Sequence, residues 1–323
     1  MNWYPLTFQP FYKEKIWGGT QLNSLKQIHP PLSNIGESWE ISDVGDDISK
    51  VLQGPLENKS LRWILENYGE EVMGTRVSQR FGTQFPILIK YINTAQDLSI
   101  QLHPDDKMAM AKHNSFGKTE MWYVMNSNPE AGLTLGFKEA TDEFAFAKAI
   151  QNNSLPALLN FQEAQRGDSF LIKPGFVHAI GAGITLAEIQ QSSDLTYRVH
   201  DYNRLDDAGN PRELHVEEAI AAADYSQATD HQIHYDRELS GRQNLAETDY
   251  FETDILQFSG TTDVKLVPEE SFTILMNVGD SCKIKHEGTS YSFKHAQTYL
   301  IPAAIKELDV TCDGSGKLLL VHL

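Results

Sequence analysis

The segments DLSIQLHP (residues 97–104) and MWYVMN (residues 121–126) are short and strand-like, and they decide the fold class. The first alternates polar and apolar residues and ends at a proline, and the second is followed by the turn-like sequence SNPEAG. PILIKYI (86–92) and DSFLIKPG (168–175) have the same character. Many short strands separated by glycine-containing turns predict an antiparallel barrel or sandwich rather than an alternating βαβ chain.

Helical insertions interrupt this β-rich pattern. Apolar residues recur at helical spacing at 56–82, 138–165 and 210–225. Ser60 is a suitable N-cap for the first of these segments, and Pro156 is expected to break the second into two pieces. We therefore predict a mainly β fold with helical insertions.

The sequence also predicts two domains. Residues 226–248 are polar without a clear period and are interpreted as a linker. We predict a catalytic domain at residues 1–230 and a smaller β domain at residues 245–323. A repeat supports this division, because GDSFLIKPGFVH, which ends at His178, resembles AQTYLIPAAIK, which ends at Lys306. The second copy has lysine where the first has histidine, so we expect a metal site in the first domain alone.

Composition limits the possible partners. The chain has 323 residues and a formal net charge of -17, so it repels nucleic acid and anionic membranes. A phosphorylated substrate is repelled as well, unless lysine and arginine cluster locally. The two cysteines have no CxxC spacing, which argues against a thiolate zinc site and a disulfide-stapled fold. No apolar run has the length of a signal peptide or a membrane span, and a cytoplasmic location is expected.

Four residues form a candidate metal site. Gln101 and His103 are two positions apart on a predicted strand, so their side chains share a face. Glu120 begins the next strand and returns beside His103 if the two strands form a hairpin. His178 lies in KPGFVHAIGAG, among small and apolar residues that suit a barrel mouth. Two histidines, a carboxylate and an amide oxygen suit zinc, with an open position for substrate. Spacing alone also leaves open a structural role for these histidines.

A polar strand face follows the last of these residues. Every second position from Glu188 to His200 is polar or charged, as on a strand with one buried face. Two interpretations fit this pattern. The polar side chains could face solvent, or they could face the interior of a sugar-binding barrel, where Glu188 and Asp194 would bind hydroxyl groups. Cations near the metal residues would attract phosphate: Arg198, Arg204 and Lys118.

Six ordered motifs give the chain a resemblance to a known family. They are KIWGG (15–19), GESWEIS (36–42), QLHPDD (101–106), GKTEMWYV (117–124), PGFVHAIGAG (174–183) and SDLTYRVHDYNR (193–204). They resemble the type I mannose-6-phosphate isomerases of the short bacterial and archaeal form. The resemblance implies a cupin barrel of the jelly-roll type with helical insertions, and a second, degenerate cupin-like domain. It also implies one zinc ion per chain, with the ligands Gln101, His103, Glu120 and His178. The implied catalytic and pocket residues are Arg198, Lys118, Glu188 and Asp194.

The implied activity is the interconversion of mannose 6-phosphate and fructose 6-phosphate through a cis-enediolate. Glu188 and Asp194 both remain candidates for the base, because arginine rarely loses its proton. Longer relatives have His-Lys-Pro-Glu where this chain has Gly117, Lys118, Thr119 and Glu120, so a role of that histidine cannot be transferred. The alternatives are a non-catalytic sugar-binding or regulatory cupin and a cupin isomerase of another hexose phosphate. An iron-dependent cupin oxygenase fits Gln101 less well. The oligomeric state stays open.

Overall fold

The computed structural model describes residues 1–206, 208–266 and 270–323. Strands dominate the described residues, which confirms the predicted mainly β fold class. The strands before residue 201 are β1 (Phe11–Gly19), β2 (Ile35–Ile41), β3 (Asp43–Val44), β4 (Asp47–Ile48), β5 (Ile87–Asn93), β6 (Ile100–Leu102), β7 (Glu120–Ser127), β8 (Gly132–Phe137), β9 (Leu159–Glu163), β10 (Ser169–Ile172), β11 (His178–Ile180), β12 (Ile184–Gln191) and β13 (Tyr197–His200). The later strands are β14 (Gly241–Glu247), β15 (Glu252–Asp263), β16 (Thr273–Asn277), β17 (Cys282–His286), β18 (Thr289–Phe293), β19 (Thr298–Ile301) and β20 (Asp309–His322). Residues 267–269 of the predicted C-terminal strand region lie outside the described part.

The helices are α1 (Gln21–Lys26), α2 (Leu61–Met73), α3 (Thr75–Phe81), α4 (Asp106–His113), α5 (Glu143–Gln151) and α6 (Val216–Ala222), with a 3-10 turn at Leu155–Leu158. Ser60 caps α2 as predicted, because its hydroxyl accepts a hydrogen bond from the Trp63 N–H. Pro156 lies in the 3-10 turn after α5, at the predicted break, but the predicted second helical piece was wrong, because β9 covers Leu159–Glu163. None of these helices is long and apolar enough to span a membrane.

Several sequence predictions of local structure were wrong. The predicted helical segments did not include α4, which Asp105 caps through the Met108 N–H. They did not include α1 either. The third predicted helix, at 210–225, is shorter than its apolar spacing indicated: in the structure α6 covers Val216–Ala222. Within the predicted linker 226–248, β14 pairs with β15 and is part of a sheet.

Two sheets of the described residues build the site. One has the order β1-β2-β5-β12-β7-β10, and the other has the order β13-β6-β11-β8-β9. Their inner faces share an apolar cluster that includes Trp122 from the first sheet and Leu135 from the second. Neither sheet closes onto the other through hydrogen bonds between the described strands, so the arrangement is two open facing sheets rather than a closed barrel.

Further layers cover the outer faces of these two sheets. α5 and α6 pack on the second sheet through a cluster containing Phe137 and Phe146. The outer face of the first sheet packs through Ile89 and Ala187 against a third sheet, of order β14-β15-β20-β16-β19, to which β17 and β18 are joined. The N-terminal segment also pairs with this third sheet, at Leu6 and Leu300. The division into domains at 1–230 and 245–323 stays a prediction.

Candidate active site

A polar cavity of about 230 Å³ lies between the two facing sheets. Its walls are formed by Lys15, Trp17, Glu37, Lys90, Ile92, Leu98, Gln101, Lys118, Glu120, Trp122, Ile180, Glu188, Asp194, Thr196 and Arg198. Most of the residues predicted for the site are in this set. The remaining two, His103 and His178, are fully buried next to Glu120. The fold therefore brings all the predicted site residues to one place.

Two histidines and one carboxylate form the centre of the site. His103 Nε2 lies 3.2 Å from Glu120 Oε1, and His178 Nε2 lies 3.9 Å from Glu120 Oε2. One ligand atom from each of the three residues lies within 4.8 Å of the others. The predicted hairpin between His103 and Glu120 was wrong, because β6 and β7 belong to opposite sheets. Glu120 reaches the histidines across the interior instead.

Hydrogen bonds to the backbone fix the form of both imidazoles. Nδ1 of His103 lies 2.8 Å from the Leu195 carbonyl oxygen, and Nδ1 of His178 lies 2.8 Å from that of Phe176. A carbonyl oxygen only accepts, so each Nδ1 carries the hydrogen and each Nε2 presents a lone pair. Burial lowers the pKa of His103 and lowers that of His178 to about 3, which keeps both rings neutral. Neutral imidazoles with free Nε2 atoms are the form that binds a metal ion.

Two atoms of this centre have no hydrogen-bond partner among the described residues. They are His178 Nε2 and Glu120 Oε2, both fully buried. Burial opposes ionisation of Glu120, but the ammonium group of Lys118 holds its pKa well below the usual range. The carboxylate is therefore charged, and buried acceptors without partners are costly. A divalent cation satisfies all three residues at once, so the donor set fits a metal ion.

Gln101 stands beside this centre in the register of the second sheet. It lies directly opposite His178 on one side and Arg198 on the other. Its Oε1 accepts a hydrogen bond of 3.3 Å from the Ser99 hydroxyl, which in turn accepts one of 3.2 Å from Arg198 Nε. This chain of hydrogen bonds connects the predicted amide ligand to the predicted active-site arginine.

Lys118 adds a positive charge to the centre. Its Nζ lies 2.9 Å from Glu120 Oε1 and 3.5 Å from His103 Nε2. The preceding residue has no room for a side chain, because a Cβ on Gly117 would lie 2.6 Å from the Asp106 backbone nitrogen. A histidine side chain at position 117, where the longer relatives have histidine, would therefore clash with the backbone at Asp106.

A second group of charges lies on the first sheet around Glu188, and sequence reasoning missed the other members of this group. Lys90 Nζ is 3.1 Å from Glu188 Oε1, and Trp122 Nε1 donates a 2.9 Å hydrogen bond to Glu188 Oε2. Burial and the charge of Glu120 raise the pKa of Glu188, although Lys90 opposes this effect. Glu37 also lines the cavity and forms a 3.0 Å ion pair with Lys15. One signal was present in the sequence: a lysine at the centre of the apolar run ILIKYI is difficult to explain unless it is paired inside.

The polar face predicted from Glu188 to His200 is divided between the two sheets. β12 carries Glu188 in the first sheet, and β13 carries Arg198 in the second. The alternating pattern therefore covers two strands, since the chain passes from one sheet to the other between them. Asp194 lies in the crossing segment, where it is exposed at the cavity. The two halves nevertheless point into the same cavity from opposite sides.

Arg198 lines the cavity from β13 of the second sheet, whereas the buried charges around Lys90 lie on the first sheet. Its Nη1 donates a 3.0 Å hydrogen bond to the Glu213 carbonyl oxygen. Burial lowers its pKa, and the positive charges of Arg212 and Arg204 lower it further. Both of these arginines are paired with Asp201. Arg204, expected among the cations near the metal, does not line the cavity itself.

The region predicted to lack a metal site contains another cluster of candidate ligands. Glu252, Asp254 and His322 form this cluster. One ligand atom from each of the three lies within 4.8 Å of the others. Arg242 already bonds to Asp254 and donates a 2.9 Å hydrogen bond to His322 Nε2. A guanidinium group therefore supplies the cation that compensates these carboxylates.

Comparison with known proteins places this site in a family. The type I phosphomannose isomerase catalytic domain matches residues 6–145. Mannose-6-phosphate isomerase ManA of Bacillus subtilis is 31% identical over 326 residues that span the whole of both chains. The mannose-6-phosphate isomerase of Streptococcus mutans is 37% identical over 218 residues, which cover 67% of this chain and 66% of that one.

Solved structures agree over nearly the whole chain. The crystal structure of the Bacillus subtilis mannose 6-phosphate isomerase has a TM-score of 0.88 at 30% identity and covers 99% of both chains. A mannosephosphate isomerase structure from Archaeoglobus fulgidus, at 24% identity, has a TM-score of 0.82 and shows the shared fold alone. The fold of the chain is therefore cupin-like, as the sequence resemblance implied.

Proposed function

The chain belongs to the type I phosphomannose isomerase family, and we propose that it interconverts mannose 6-phosphate and fructose 6-phosphate with one bound zinc ion. One observation carries this proposal: two neutral imidazoles and a charged carboxylate converge, with two of their buried polar atoms unpartnered among the described residues. The four proposed ligands are Gln101, His103, Glu120 and His178. A non-catalytic sugar-binding protein has no need to bury such a centre at the base of a charged cavity.

The residues of the cavity divide into two functional groups. Bound zinc would act as a Lewis acid that holds and polarises the sugar oxygens. Lys118, which contacts Glu120, lies beside the metal residues and is placed to stabilise the negative charge of an enediolate oxygen. Arg198 lies on the second sheet near two further arginines and is placed to bind the phosphate.

Proton transfer between C1 and C2 requires a base inside the cavity. Glu188 suits this role better than Asp194, because it is fully buried and its pKa is raised, whereas Asp194 is exposed. Glu188 Oε1 has no hydrogen bond in good geometry, although Lys90 lies near it, so a lone pair is available. Lys90 and Trp122 orient the carboxylate. The carboxylate would take the proton from C2 of mannose 6-phosphate and return it to C1, while the hydroxyl proton moves from O2 to O1, so the isomerisation needs no external oxidant or reductant.

A coupled assay tests the proposal. The protein is assayed with mannose 6-phosphate before chelation, after complete removal of metal and after zinc is added back. Activity should disappear and then return, and metal analysis should give one zinc per chain. Unchanged activity in the metal-free protein would remove the metal from the reaction. A parallel assay with glucose 6-phosphate tests the alternative that the chain isomerises another hexose phosphate. Faster turnover of glucose 6-phosphate than of mannose 6-phosphate would change the assigned substrate.

Two substitutions test the residue roles. Glu188→Gln should lower kcat by at least about 100-fold, as is typical for loss of a general base. Asp194→Asn is the matched control and should have a smaller effect on kcat. A collapse of kcat in Asp194→Asn with near-normal Glu188→Gln would reverse the assignment. Arg198→Ala should mainly raise KM if the arginine binds phosphate, and a normal KM would contradict that role.

A further inference from the structure

A second, larger cleft lies away from the active-site cavity. It has a volume of about 970 Å³ and is bounded by the N-terminal segment, the end of α1 and the β17–β18 hairpin. It shares none of its lining residues with the active-site cavity. Its size is at the upper end of the range usual for small-molecule sites.

A buried ion pair forms part of the wall of this cleft. Lys26 Nζ lies 2.7 Å from Glu40 Oε2, and the two side chains are 7% and 5% exposed. The Ser38 hydroxyl donates a 2.6 Å hydrogen bond to Glu40 Oε1, and Lys26 donates one of 2.6 Å to the Ala296 carbonyl oxygen. Burying such a pair is costly unless each charge is well paired, as here. The pair leaves this wall polar but without net charge.

The other charges at the cleft are also balanced. Lys294 and Glu287 line it as well, so the lining contains two lysines and two glutamates. In a chain with a net charge of -17, a cleft without excess cations offers no attraction for a phosphate group. The side chains of the active-site cavity are also balanced in charge, but the divalent ion proposed for that site would add two positive charges to it.

Aromatic side chains contribute to the rest of the lining, and Tyr12 and Tyr291 are the partly exposed ones among them. Tyr4, Tyr12, Tyr291 and Tyr299 line the cleft together with Trp3. Tyr4 and Tyr299 are held in position, because their hydroxyl groups donate to the Gln53 and Ser292 carbonyl oxygens. Tyrosine and tryptophan offer a rigid apolar face and a polar edge, which matches a ligand that is itself amphipathic.

From these features we infer that the cleft binds a neutral saccharide of two or more sugar units. Sugar rings present apolar C–H faces to aromatic side chains and hydroxyl groups to carboxylates, amides and hydroxyls. A purely apolar ligand would gain nothing from the buried Lys26–Glu40 pair, and an anionic ligand would find no excess positive charge. The volume exceeds that of the active-site cavity several-fold, which favours more than one sugar unit.

Strand β2 separates the two sites. Glu37 lines the active-site cavity, and Glu40, three residues further along the same strand, lines the cleft. The two sites therefore use different side chains, and each can be filled while the other is occupied. This independence makes the inference separable from the proposed isomerase function.

Calorimetric titration of the zinc-loaded protein with β-1,4-mannobiose, maltose and cellobiose tests the inference. At least one of the disaccharides should bind with a stoichiometry of one, and saturating fructose 6-phosphate should leave its Kd unchanged. Arg198→Ala serves as the active-site control and should bind the disaccharide as the wild type does. Absence of binding by all three sugars, or competition by fructose 6-phosphate, would overturn the inference.

Two variants locate the binding site. Tyr291→Ala and Tyr12→Leu each remove one aromatic face and should weaken disaccharide binding by about 10-fold or more, with mannose 6-phosphate turnover retained. Retained turnover shows that each variant is folded, so weakened binding is specific to the cleft. Unchanged affinity in both variants would place any disaccharide elsewhere and would refute the assignment. The affinity measurements themselves do not depend on the isomerase proposal, and a circular dichroism spectrum of each variant shows that it is folded if the chain has no turnover of mannose 6-phosphate.

Discussion

Replacement of Glu37 by glutamine tests how far the charges of the active-site cavity stabilise the fold. Glu37 is buried and lies 3.0 Å from Lys15, and its other oxygen accepts a 2.6 Å hydrogen bond from Trp39 Nε1. Burial opposes ionisation, but Lys90, Lys15 and Trp39 together lower its pKa from 4.5 to about 2. Glutamine keeps the shape of the side chain and removes its charge.

The pKa values fix the sign and the size of the effect. A carboxyl group whose pKa is lowered by folding stabilises the protein above pH 4.5, and this stability is lost as the pH falls towards 2. The difference between the two pKa values corresponds to about 3 kcal/mol of unfolding free energy. About 1.4 kcal/mol of this should already be lost at a pH of about 3.5, where the unfolded carboxyl group is largely protonated.

Urea unfolding at neutral pH and at a pH of about 3.5, followed by fluorescence and circular dichroism, provides the measurement. Wild type should be more stable than Glu37→Gln at neutral pH, and the difference should shrink by about 1.4 kcal/mol at the lower pH. Glu66→Gln on α2 is the matched control, since Glu66 is exposed, and its difference from wild type should not change with pH. A constant difference for Glu37→Gln as well would refute the view that Glu37 is a stabilising anion in the folded chain.

Three further substitutions have definite expected results. Lys90→Met leaves Glu188 as an uncompensated buried charge and should lower the unfolding free energy by about 3–5 kcal/mol; the double variant Lys90→Met/Glu188→Gln should recover part of this loss, and no recovery would contradict the pairing. Gly18→Ala places a Cβ 2.1 Å from a backbone carbonyl oxygen of the adjacent segment and should lower the thermal midpoint, whereas Gly69→Ala in α2 meets no atom closer than 3.9 Å and should leave it unchanged or raise it. His178→Ala should weaken zinc binding by more than about 100-fold, because loss of a residue that only contacts a metal ligand typically costs less than this. Unchanged zinc content after dialysis would exclude His178 as a ligand.

The sequence predicted a set of site residues that the fold brings together, but it did not predict their arrangement. Gln101, His103, Glu120 and His178 were recognised from strand alternation and ordered motifs, and all four lie together. The sheet to which each strand belongs was not predictable, because alternation shows which residues share a face and not which strands are neighbours. For this reason Glu120 was expected next to His103 on a hairpin, whereas it reaches His103 from the opposite sheet.

Buried charges were the second obstacle. Lys90 lies in an apolar strand, and Glu37 lies in a segment that reads equally well as core. A single charged residue in such a strand is stable when a partner from another strand neutralises it. That partner, Glu188, is nearly a hundred residues away along the chain, and local pattern carries no information about it. α4 was missed for a related reason, since its exposed face is polar and it has little apolar periodicity of its own.

The charge balance of the active-site cavity couples the metal to the substrate. Four cations and four carboxylates line the cavity in the described part of the chain: Lys15, Lys90, Lys118, Arg198, Glu37, Glu120, Glu188 and Asp194. Their formal charges cancel, and the molecule around them carries -17. The metal-free cavity therefore offers no net attraction to a sugar phosphate, whose phosphate group carries about -1.5 to -2 charges at neutral pH. A bound divalent ion would give the cavity a net charge of about +2, which is complementary to the charge of the phosphate group.

Zinc should consequently bind more tightly to the protein when the sugar phosphate is bound. The sugar phosphate should bind more tightly to the zinc-loaded protein by the same factor. We expect saturating fructose 6-phosphate to raise the zinc affinity by at least about 5-fold, the lower end of common coupling energies. Competition with a fluorescent chelator measures this affinity, and free fructose, which has the hydroxyl groups without the phosphate, is the control. Equal zinc affinity with and without fructose 6-phosphate would contradict the charge argument. An equal increase with free fructose would assign the coupling to the hydroxyl groups, because the phosphate would then contribute nothing to it.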